Sequence, residues 1–254
     1  EYLREHMPEH ARLHYVITKG GKAPNVVPTE ASVWYYVRAP DRVQVERLTD
    51  RVDKVAEGAA TMTGTELDRR FITGCWQFLP NRTITDLMWT NLQDLGPIDF
   101  TAEDREFAAA LRETLDPDAI EDRLSRLEPD VREMIREHSL AAEPIGPAEE
   151  AGLMLGSTEV SDVSWLTPTG EFLGACWPVG TTAHTWQAVA ASGDFGRKTA
   201  VYIAKALAGT AYDLFAEPDG VAAAQDEFES AKAGREYETP LPAEAEPPFD
   251  VGIE

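Results

Sequence analysis

Two polar side chains flank a strand-like stretch near the start of the chain and could bind a ligand together. Asn25 lies in GGKAPNVVP, where glycines and prolines keep the backbone irregular, so its amide is displayed by a loop. Arg38 ends the adjoining stretch ASVWYYVR, and a guanidinium holds a carboxylate through two parallel hydrogen bonds. If the flanking strands pair as a hairpin, both groups could face one ligand. The alternative is that Asn25 caps a turn and Arg38 pairs with a surface acid.

Further candidates follow apolar stretches in the second half of the chain. His184 lies in GTTAHTWQ, where a loop at the edge of a sheet could present the imidazole to a metal. One histidine does not make a zinc site, since zinc takes three or four donors, and the alternative is a histidine bonded to neighbouring backbone. Ser157 and Thr158 begin STEVSDVSW, which suits either a turn that binds an oxyanion or carboxylate, or an ordinary helix cap.

Other residue patterns are weaker signals. The pair Glu149-Glu150 could supply a general base and a metal ligand, but it lies in an acidic linker where a solvated pair is the simpler interpretation. Cys75 and Cys176 each lie in an apolar stretch, which predicts buried, reduced thiols. The chain lacks the GxSxG, Walker, GxGxxG and HExxH motifs.

Hydrophobic periodicity predicts how these residues are positioned. The pattern indicates the end of a helix over 1–10, strands at 11–18, 31–38 and 65–74, and a helix at 41–62. This order is most of a ferredoxin-like α+β domain that lacks its first strand. Further helices are predicted from 81 to 95, 101 to 115, 118 to 138, 194 to 215 and 219 to 233, with a strand at 171–180.

Composition narrows the classes of partner. The net charge is −22, from 45 acidic and 23 basic residues, and such a surface repels nucleic acids and anionic membranes. No apolar run is long enough to span a membrane and the charged N-terminus does not fit a signal peptide, so we expect a cytoplasmic protein. The acidic, lysine-poor composition is typical of proteins from salt-loving microbes, which predicts a fold that loosens at low salt.

Taken together, four segments carry a family resemblance. GGKAPNVVPTEASVWYYVRAP, NRTITDLMWTNLQDLG, LGSTEVSDVSW and ACWPVGTTAHTWQ resemble, in this order, the zinc aminoacylase/carboxypeptidase group of amidohydrolases, which are metallopeptidases. The resemblance implies an incomplete α/β catalytic domain at 81–254, with an acidic excursion at 116–150, and a partial lid domain at 1–80 that forms a homodimer. It further implies that Asn25, Arg38, Ser157 and Thr158 contact the substrate.

The resemblance also implies a metal site that this chain cannot complete. His184 matches a ligand of a site that holds two divalent ions, zinc in the family, while the other ligands and the catalytic Glu-Glu pair precede the lid in family members. Glu149-Glu150 follows the lid, so it does not match that pair. We therefore expect the C-terminal half of a metal-dependent amidohydrolase, inactive alone, that acts on an amide beside a carboxylate. The alternative is a non-catalytic dimerisation or ligand-binding module.

Overall fold

The computed structural model describes residues 2–125, 127–148, 152–154 and 156–249. Within these residues the chain combines many helices with one small antiparallel sheet. The candidate pair Glu149-Glu150 lies outside the described residues. Two compact units can be distinguished. The first unit takes in residues up to Leu79, Leu153–Leu166 and the residues from Glu236 on, while the second takes in Pro80–Gly152 and Thr167–Arg235.

The first unit is built on a β-hairpin and one long helix. A 3-10 helix at Tyr2–His6 precedes the strands β1 (Arg12–Lys19) and β2 (Ser32–Arg38), which pair antiparallel from Arg12 opposite Arg38 to Lys19 opposite Ser32. Helix α1 (Arg42–Thr63) packs against β2, begins with a cap from Asp41 and ends at Gly64 in the left-handed conformation. The predicted hairpin and helix are confirmed.

An aromatic cluster ties distant segments of this unit together. The rings of Trp76 and Trp165 are 4.4 Å apart, Tyr237 lies 5.7 Å from Trp76, and the Arg42 guanidinium lies 4.4 Å over the Trp76 ring. The Trp165 indole N–H also donates to Gln77 O at 2.8 Å. These contacts hold the short helix α6 (Val160–Val163) in the first unit.

The second unit consists of helices and irregular segments within the described residues. Its helices are α2 (Arg82–Leu95), α3 (Ala102–Arg112), α4 (Pro117–Ser125), α5 (Pro129–Arg136), α7 (Trp186–Ala191), α8 (Asp194–Ala216) and α9 (Pro218–Lys232). Helix α2 packs against α8 and α9, and a separate core gathers around Phe195 and Leu140. No helix among the described residues is long and apolar enough to cross a membrane.

Three secondary-structure predictions were wrong. Thr65–Gly74 is not a strand, because its groups pair elsewhere: Thr65 N–H donates to Ala60 O, and Arg69 pairs with Asp53 of α1 at 2.8 Å. The helix predicted over 118–138 is two helices, since Pro129 starts the second one and a proline cannot continue the first. The stretch 171–180 also has no strand, so the α/β character predicted for 81–254 is not seen in the residues described.

Candidate functional site

Arg38 and Ser157 lie in direct contact although they are far apart in the chain. The guanidinium Nη2 of Arg38 donates to Ser157 Oγ at 2.7 Å. Arg38 is the last residue of β2, and Ser157 directly precedes the turn that leads into α6. No carboxylate among the described residues forms an ion pair with Arg38, so the surface acid considered as the alternative partner is not seen. One N–H of the fork is held and the others remain available to a ligand.

The thiol of Cys75 lies close enough to Arg38, Asp162 and Glu159 to feel their charges, and sequence reasoning missed this arrangement. Partial burial and the charge of Asp162 raise the pKa of the Cys75 thiol, with a smaller contribution from Glu159, while Arg38 acts in the opposite direction. Although neighbouring atoms partly shield the thiol, Cys75 as a residue is exposed, so the prediction of a buried thiol is wrong there. Cys176 is half-buried. A raised pKa keeps the Cys75 sulfur protonated and weakly nucleophilic. Asp162 is also engaged structurally, since it accepts from Trp76 N–H at 3.2 Å.

Thr158 forms a local turn, but neither it nor Ser157 is the helix cap considered as the alternative, because Glu159 occupies the cap position of α6. Its hydroxyl accepts from Val160 N–H at 3.3 Å, and its carbonyl accepts from Ser161 N–H at 3.1 Å. These bonds fix the backbone that follows Ser157. The turn thus places the Ser157 hydroxyl beside Arg38.

Asn25 lies in the loop that joins the two strands. The loop is closed at its base by the ion pair Lys19–Glu30 at 2.5 Å, and it turns through Gly21, whose φ of +102° favours glycine. Val26 N–H donates to Ala23 O, which makes a tight turn around Asn25. The Asn25 side chain is exposed and has no hydrogen-bond partner among the described residues.

The hairpin separates Asn25 from Arg38 within one chain. Arg38 pairs with Arg12 at the open end of the hairpin, whereas the Asn25 loop follows Lys19 at the closed end. The seven residues of β2 span about 20 Å at the usual rise per residue. Within one chain the strand holds the two groups at opposite ends, so the prediction that they face one ligand requires a cleft assembled from two subunits.

His184 belongs to the second unit and has an unusual backbone. Its φ is 64°, in the left-handed region that non-glycine residues rarely adopt, and its side chain is exposed. It directly precedes Thr185, which caps α7 by accepting from Ala188 N–H. Backbone strain of this kind clusters at functional sites. The backbone partner considered as the alternative for the imidazole is not seen among the described residues.

A buried hydroxyl lies three residues before His184. Thr181 is 4% exposed, and its Oγ1 has no hydrogen-bond partner in the part of the chain that the structure describes. The preceding Gly180 has a φ of +100° and packs closely on Ile120. Sequence reasoning missed Thr181, because a threonine in a loop carries no signal of burial.

The donors of the described residues do not fit a metal site by themselves. Within these residues, no three side chains of His, Cys, Asp or Glu gather closely enough to hold an ion. His184 is thus a lone donor within the described structure, and no metal-dependent step follows from it.

Sequence similarity links the chain to a bacterial hydrolase and to two mammalian dipeptidases, while no family model matches it. The chain is 35% identical over 97% of its length to a subunit of the p-aminobenzoyl-glutamate hydrolase of Escherichia coli, and it covers 53% of that protein. It is also 31% identical to the Xaa-Arg dipeptidase of Mus musculus and 29% identical to that of Homo sapiens, over 40% of this chain and 24% and 23% of those proteins.

These matches agree in the class of reaction that the relatives' names describe, since a hydrolase and dipeptidases all break bonds by adding water. The chain spans about half the length, or less, of the curated relatives it matches. The resemblance to this group of hydrolases is confirmed by homology: over nearly its whole length, this chain is a homologue of the p-aminobenzoyl-glutamate hydrolase subunit that it matches.

Proposed function

We propose that this chain contributes the substrate-binding part of an amidohydrolase that cleaves an amide bond beside a carboxylate. The substrate class is p-aminobenzoyl-glutamate or an N-acyl amino acid. The contact between Arg38 and Ser157 carries the proposal, together with the homology to a hydrolase of p-aminobenzoyl-glutamate. The serine oxygen holds one N–H of the guanidinium, which orients the remaining donors toward an incoming carboxylate.

In this proposal Arg38 binds and orients the substrate and does not take part in bond cleavage. A bidentate pair with the carboxylate fixes the position of the adjacent amide, which lowers the entropic cost of reaching the transition state. Thr158 maintains the turn that presents Ser157, as its bonds to the following residues support. His184 supplies one ligand to a divalent metal, with zinc as the candidate, whose other donors lie outside the described residues.

The separation of Asn25 from Arg38 supports a homodimer in which two subunits share a site. Since about 20 Å of strand lies between them, an amide that contacts the same substrate as Arg38 must come from a second copy. The faces of the hairpin favour such a contact, because large apolar side chains stay substantially exposed on both strands: Tyr15, Val16, Ile17, Val33, Tyr35 and Tyr36. A two-stranded sheet is marginal in isolation and gains stability when such faces are covered.

The role of Arg38 is tested with Arg38→Ala and Arg38→Lys in the protein as purified from its source or expressed from its complete gene. Arg38→Ala should raise KM for p-aminobenzoyl-glutamate by roughly 10- to 100-fold, because hydrogen bonds to charged groups are lost. Arg38→Lys keeps the positive charge but lacks the forked guanidinium, so its KM should lie between those of native protein and Arg38→Ala. Arg69→Ala, which breaks an exposed ion pair with Asp53, is the matched control and should leave KM unchanged.

Comparing the substrate with its methyl ester distinguishes a loss of carboxylate recognition from misfolding of the variant. Native protein should discriminate strongly against the ester, whereas Arg38→Ala should treat acid and ester nearly alike. If the variant loses activity equally on both substrates, Arg38 does not bind the carboxylate. If the native protein hydrolyses neither substrate, with or without added zinc, the amidohydrolase proposal itself fails.

The shared site is tested by mixing subunits. Asn25→Ala and Arg38→Ala should each be impaired, while their mixed dimers contain one site with both native groups. Random mixing should then restore about a quarter of the native activity. No recovery, with mixed dimers demonstrated by differential tagging, would contradict a site built from both copies.

The non-catalytic module remains a second candidate, and the exposed hairpin favours it equally. It predicts that the chain dimerises through β1 and β2 without contributing to turnover. Ile17→Lys, at a side chain that is 60% exposed, should then disrupt dimers in analytical ultracentrifugation. The Arg38 experiment distinguishes the two candidate functions, since only the enzyme proposal predicts an effect on KM.

A further inference from the structure

An irregular segment that follows α9, residues 237–240, packs on the aromatic cluster of the first unit. The carbonyl of Glu238 accepts from the Arg42 guanidinium at 2.6 Å and from the Trp76 indole N–H at 2.8 Å. The rings of Tyr237 and Trp76 lie 5.7 Å apart. Two hydrogen bonds and a ring contact therefore hold this segment on the cluster, although it forms no helix or strand.

The hydroxyl of Tyr237 lies beside Asp162 of helix α6. Burial raises the pKa of the Tyr237 hydroxyl above its ordinary value, and the charge of Asp162 and a hydrogen bond to its carboxylate act in the same direction. Because a carboxylate can only accept, the phenol O–H is the donor. The Asp162 carboxylate also accepts from Trp76 N–H at 3.2 Å. Asp162 therefore joins both the 237–240 segment and the backbone at Trp76 to α6.

The C-terminal end of α6 is anchored independently of Tyr237. The hydroxyl of Ser164 accepts from Leu79 N–H at 2.8 Å, and the Trp165 indole N–H donates to Gln77 O at 2.8 Å. Both Ser164 and Trp165 are almost fully buried. Ser157, on the other side of the helix, is by contrast exposed, and its position depends on the turn that leads into α6.

We propose that Tyr237 is a positioning residue of the carboxylate-binding site and acts through Asp162 and α6 on Ser157. This inference rests on the function proposed above for Arg38. The Tyr237 hydroxyl holds Asp162, and the helix that Asp162 fixes continues the turn that places Ser157 Oγ 2.7 Å from the Arg38 guanidinium. Binding geometries tolerate displacements of only about 0.5 Å, so a helix that shifts would leave the guanidinium poorly oriented.

The alternative is that Tyr237 contributes packing alone, through the contact of its ring with Trp76. Tyr237→Phe distinguishes the two roles, because phenylalanine keeps the ring and removes only the hydroxyl. A residue that serves packing tolerates this change. A residue that positions Ser157 through a hydrogen bond does not.

Kinetics with p-aminobenzoyl-glutamate, in the protein expressed from its complete gene, measure the effect on the site. Tyr237→Phe should raise KM by about three- to tenfold and leave kcat within about twofold, because Arg38 is displaced but still present. The preference for the acid over its methyl ester should fall by a similar factor. Tyr212→Phe is the matched control, since Tyr212 on α8 is 72% exposed, and it should leave KM unchanged.

Ser157→Ala tests the route by which Tyr237 acts. By itself this substitution should raise KM, because Arg38 loses its serine partner. In the Ser157→Ala background, Tyr237→Phe should change KM by less than about twofold, since both substitutions break the same series of contacts. An equal effect of Tyr237→Phe with and without Ser157 would overturn the inference, because Tyr237 would then act by another route.

Hydrogen–deuterium exchange of the same protein reports on α6 without any substrate. Ser161 N–H donates to Thr158 O and Ser164 N–H donates to Val160 O, so both amides are protected while the helix is in place. Tyr237→Phe should speed their exchange by about tenfold, because a hydrogen bond to a charged group is lost, and should leave the amides of α2 unchanged. Unchanged exchange in α6 would show that the hydroxyl does not hold the helix.

The combined results separate this inference from the proposed function. If Arg38→Ala raises KM and Tyr237→Phe does not, the proposed function stands and the inference is wrong. If neither substitution raises KM, Arg38 does not bind the carboxylate, and both the proposed function and the inference fail. Faster exchange throughout the first unit, with a lower kcat and a native KM, would assign Tyr237 to general stability and also contradict the inference.

Discussion

Replacing Glu227 with glutamine isolates the charge of a carboxylate that joins helix α9 to the start of α2. One carboxylate oxygen accepts from Arg82 N–H at 2.6 Å, and the other accepts from Thr83 N–H at 2.9 Å and from the Thr83 hydroxyl at 2.7 Å. These N–H groups belong to the first turn of α2 and have no acceptor within the helix. Glu227 on α9 therefore accepts hydrogen bonds from two N–H groups of α2 that have no acceptor within their own helix.

The size of the effect follows from what glutamine cannot do. Its single carbonyl oxygen can replace only one oxygen of the carboxylate, and its NH2 group would face another donor. Charge-assisted hydrogen bonds contribute roughly 1.5–3 kcal/mol, and a negative charge at a helix N-terminus adds about 0.3–1 kcal/mol. Since Glu227 is half-buried and partly screened by water, we expect Glu227→Gln to lower the free energy of unfolding by about 2 kcal/mol near pH 7.

The direction of the pKa shift of Glu227 determines how its contribution to stability changes with pH. Burial acts to raise the pKa of Glu227, but hydrogen bonds from Thr83 and Arg82 and the charge of Arg82 outweigh it, so the pKa lies below its ordinary value. A carboxyl with a lowered pKa stabilises the fold above its unfolded pKa, which is about 4.3 for Glu, and loses that contribution as pH falls through the folded value. The difference between native chain and Glu227→Gln should thus be complete above about pH 5 and shrink at lower pH.

Urea unfolding followed by circular dichroism measures this difference across pH. Glu229→Gln is the control on the same helix, because Glu229 is exposed and its ion pair with Lys232 is long, at 3.9 Å. This substitution should change the free energy of unfolding by less than about 0.5 kcal/mol. A Glu227→Gln difference below about 0.5 kcal/mol near neutral pH would refute the reasoning. A difference that stays constant as the pH falls would refute the assignment to charge.

Three further changes test packing, a buried hydroxyl and surface charge, each by urea unfolding. Gly209→Ala should destabilise the chain by roughly 1–3 kcal/mol, because the added methyl group would overlap Asn91 Oδ1 where α8 meets α2. Gly58→Ala, in α1 with open space around it, should instead stabilise by about 0.5–1 kcal/mol, and equal effects at both sites would contradict the role of packing. Thr181→Val should stabilise by about 1 kcal/mol because the buried hydroxyl is unpaired, whereas Thr210→Val should destabilise because that hydroxyl donates to a carbonyl at 2.9 Å. Raising the salt concentration from about 0.05 M to 1 M should increase the midpoint of unfolding, since salt screens the net charge of −22, and an unchanged midpoint would exclude self-repulsion as a destabilising force.

Local signals in the sequence were sufficient to predict several helices and the hairpin. The cap Asp41 and the left-handed Gly64 bound α1, and Thr101 forms a capping box with Asp104 at the start of α3. These features depend on residues only a few positions apart, so they are visible without tertiary structure. The same holds for the hairpin, whose strands are rich in β-branched and aromatic residues.

Strands that need a distant partner could not be predicted in the same way. The stretches at 65–74 and 171–180 were both predicted as strands, yet a strand exists only where another backbone accepts its hydrogen bonds. Within the described residues, one stretch pairs its groups with α1 and the other finds no partner strand. Composition therefore overestimated the extent of the sheet.

The sequence by itself determined the resemblance to known hydrolases and the types of candidate residue, because both depend on short motifs and on the order of those motifs along the chain. Only the tertiary structure decided which candidates meet. It joined Arg38 to Ser157 across 119 positions of the chain, and it held Asn25 at the opposite end of a hairpin. The physical reason is that the distance between two side chains depends on strand pairing and packing, and neither is encoded in their spacing along the chain.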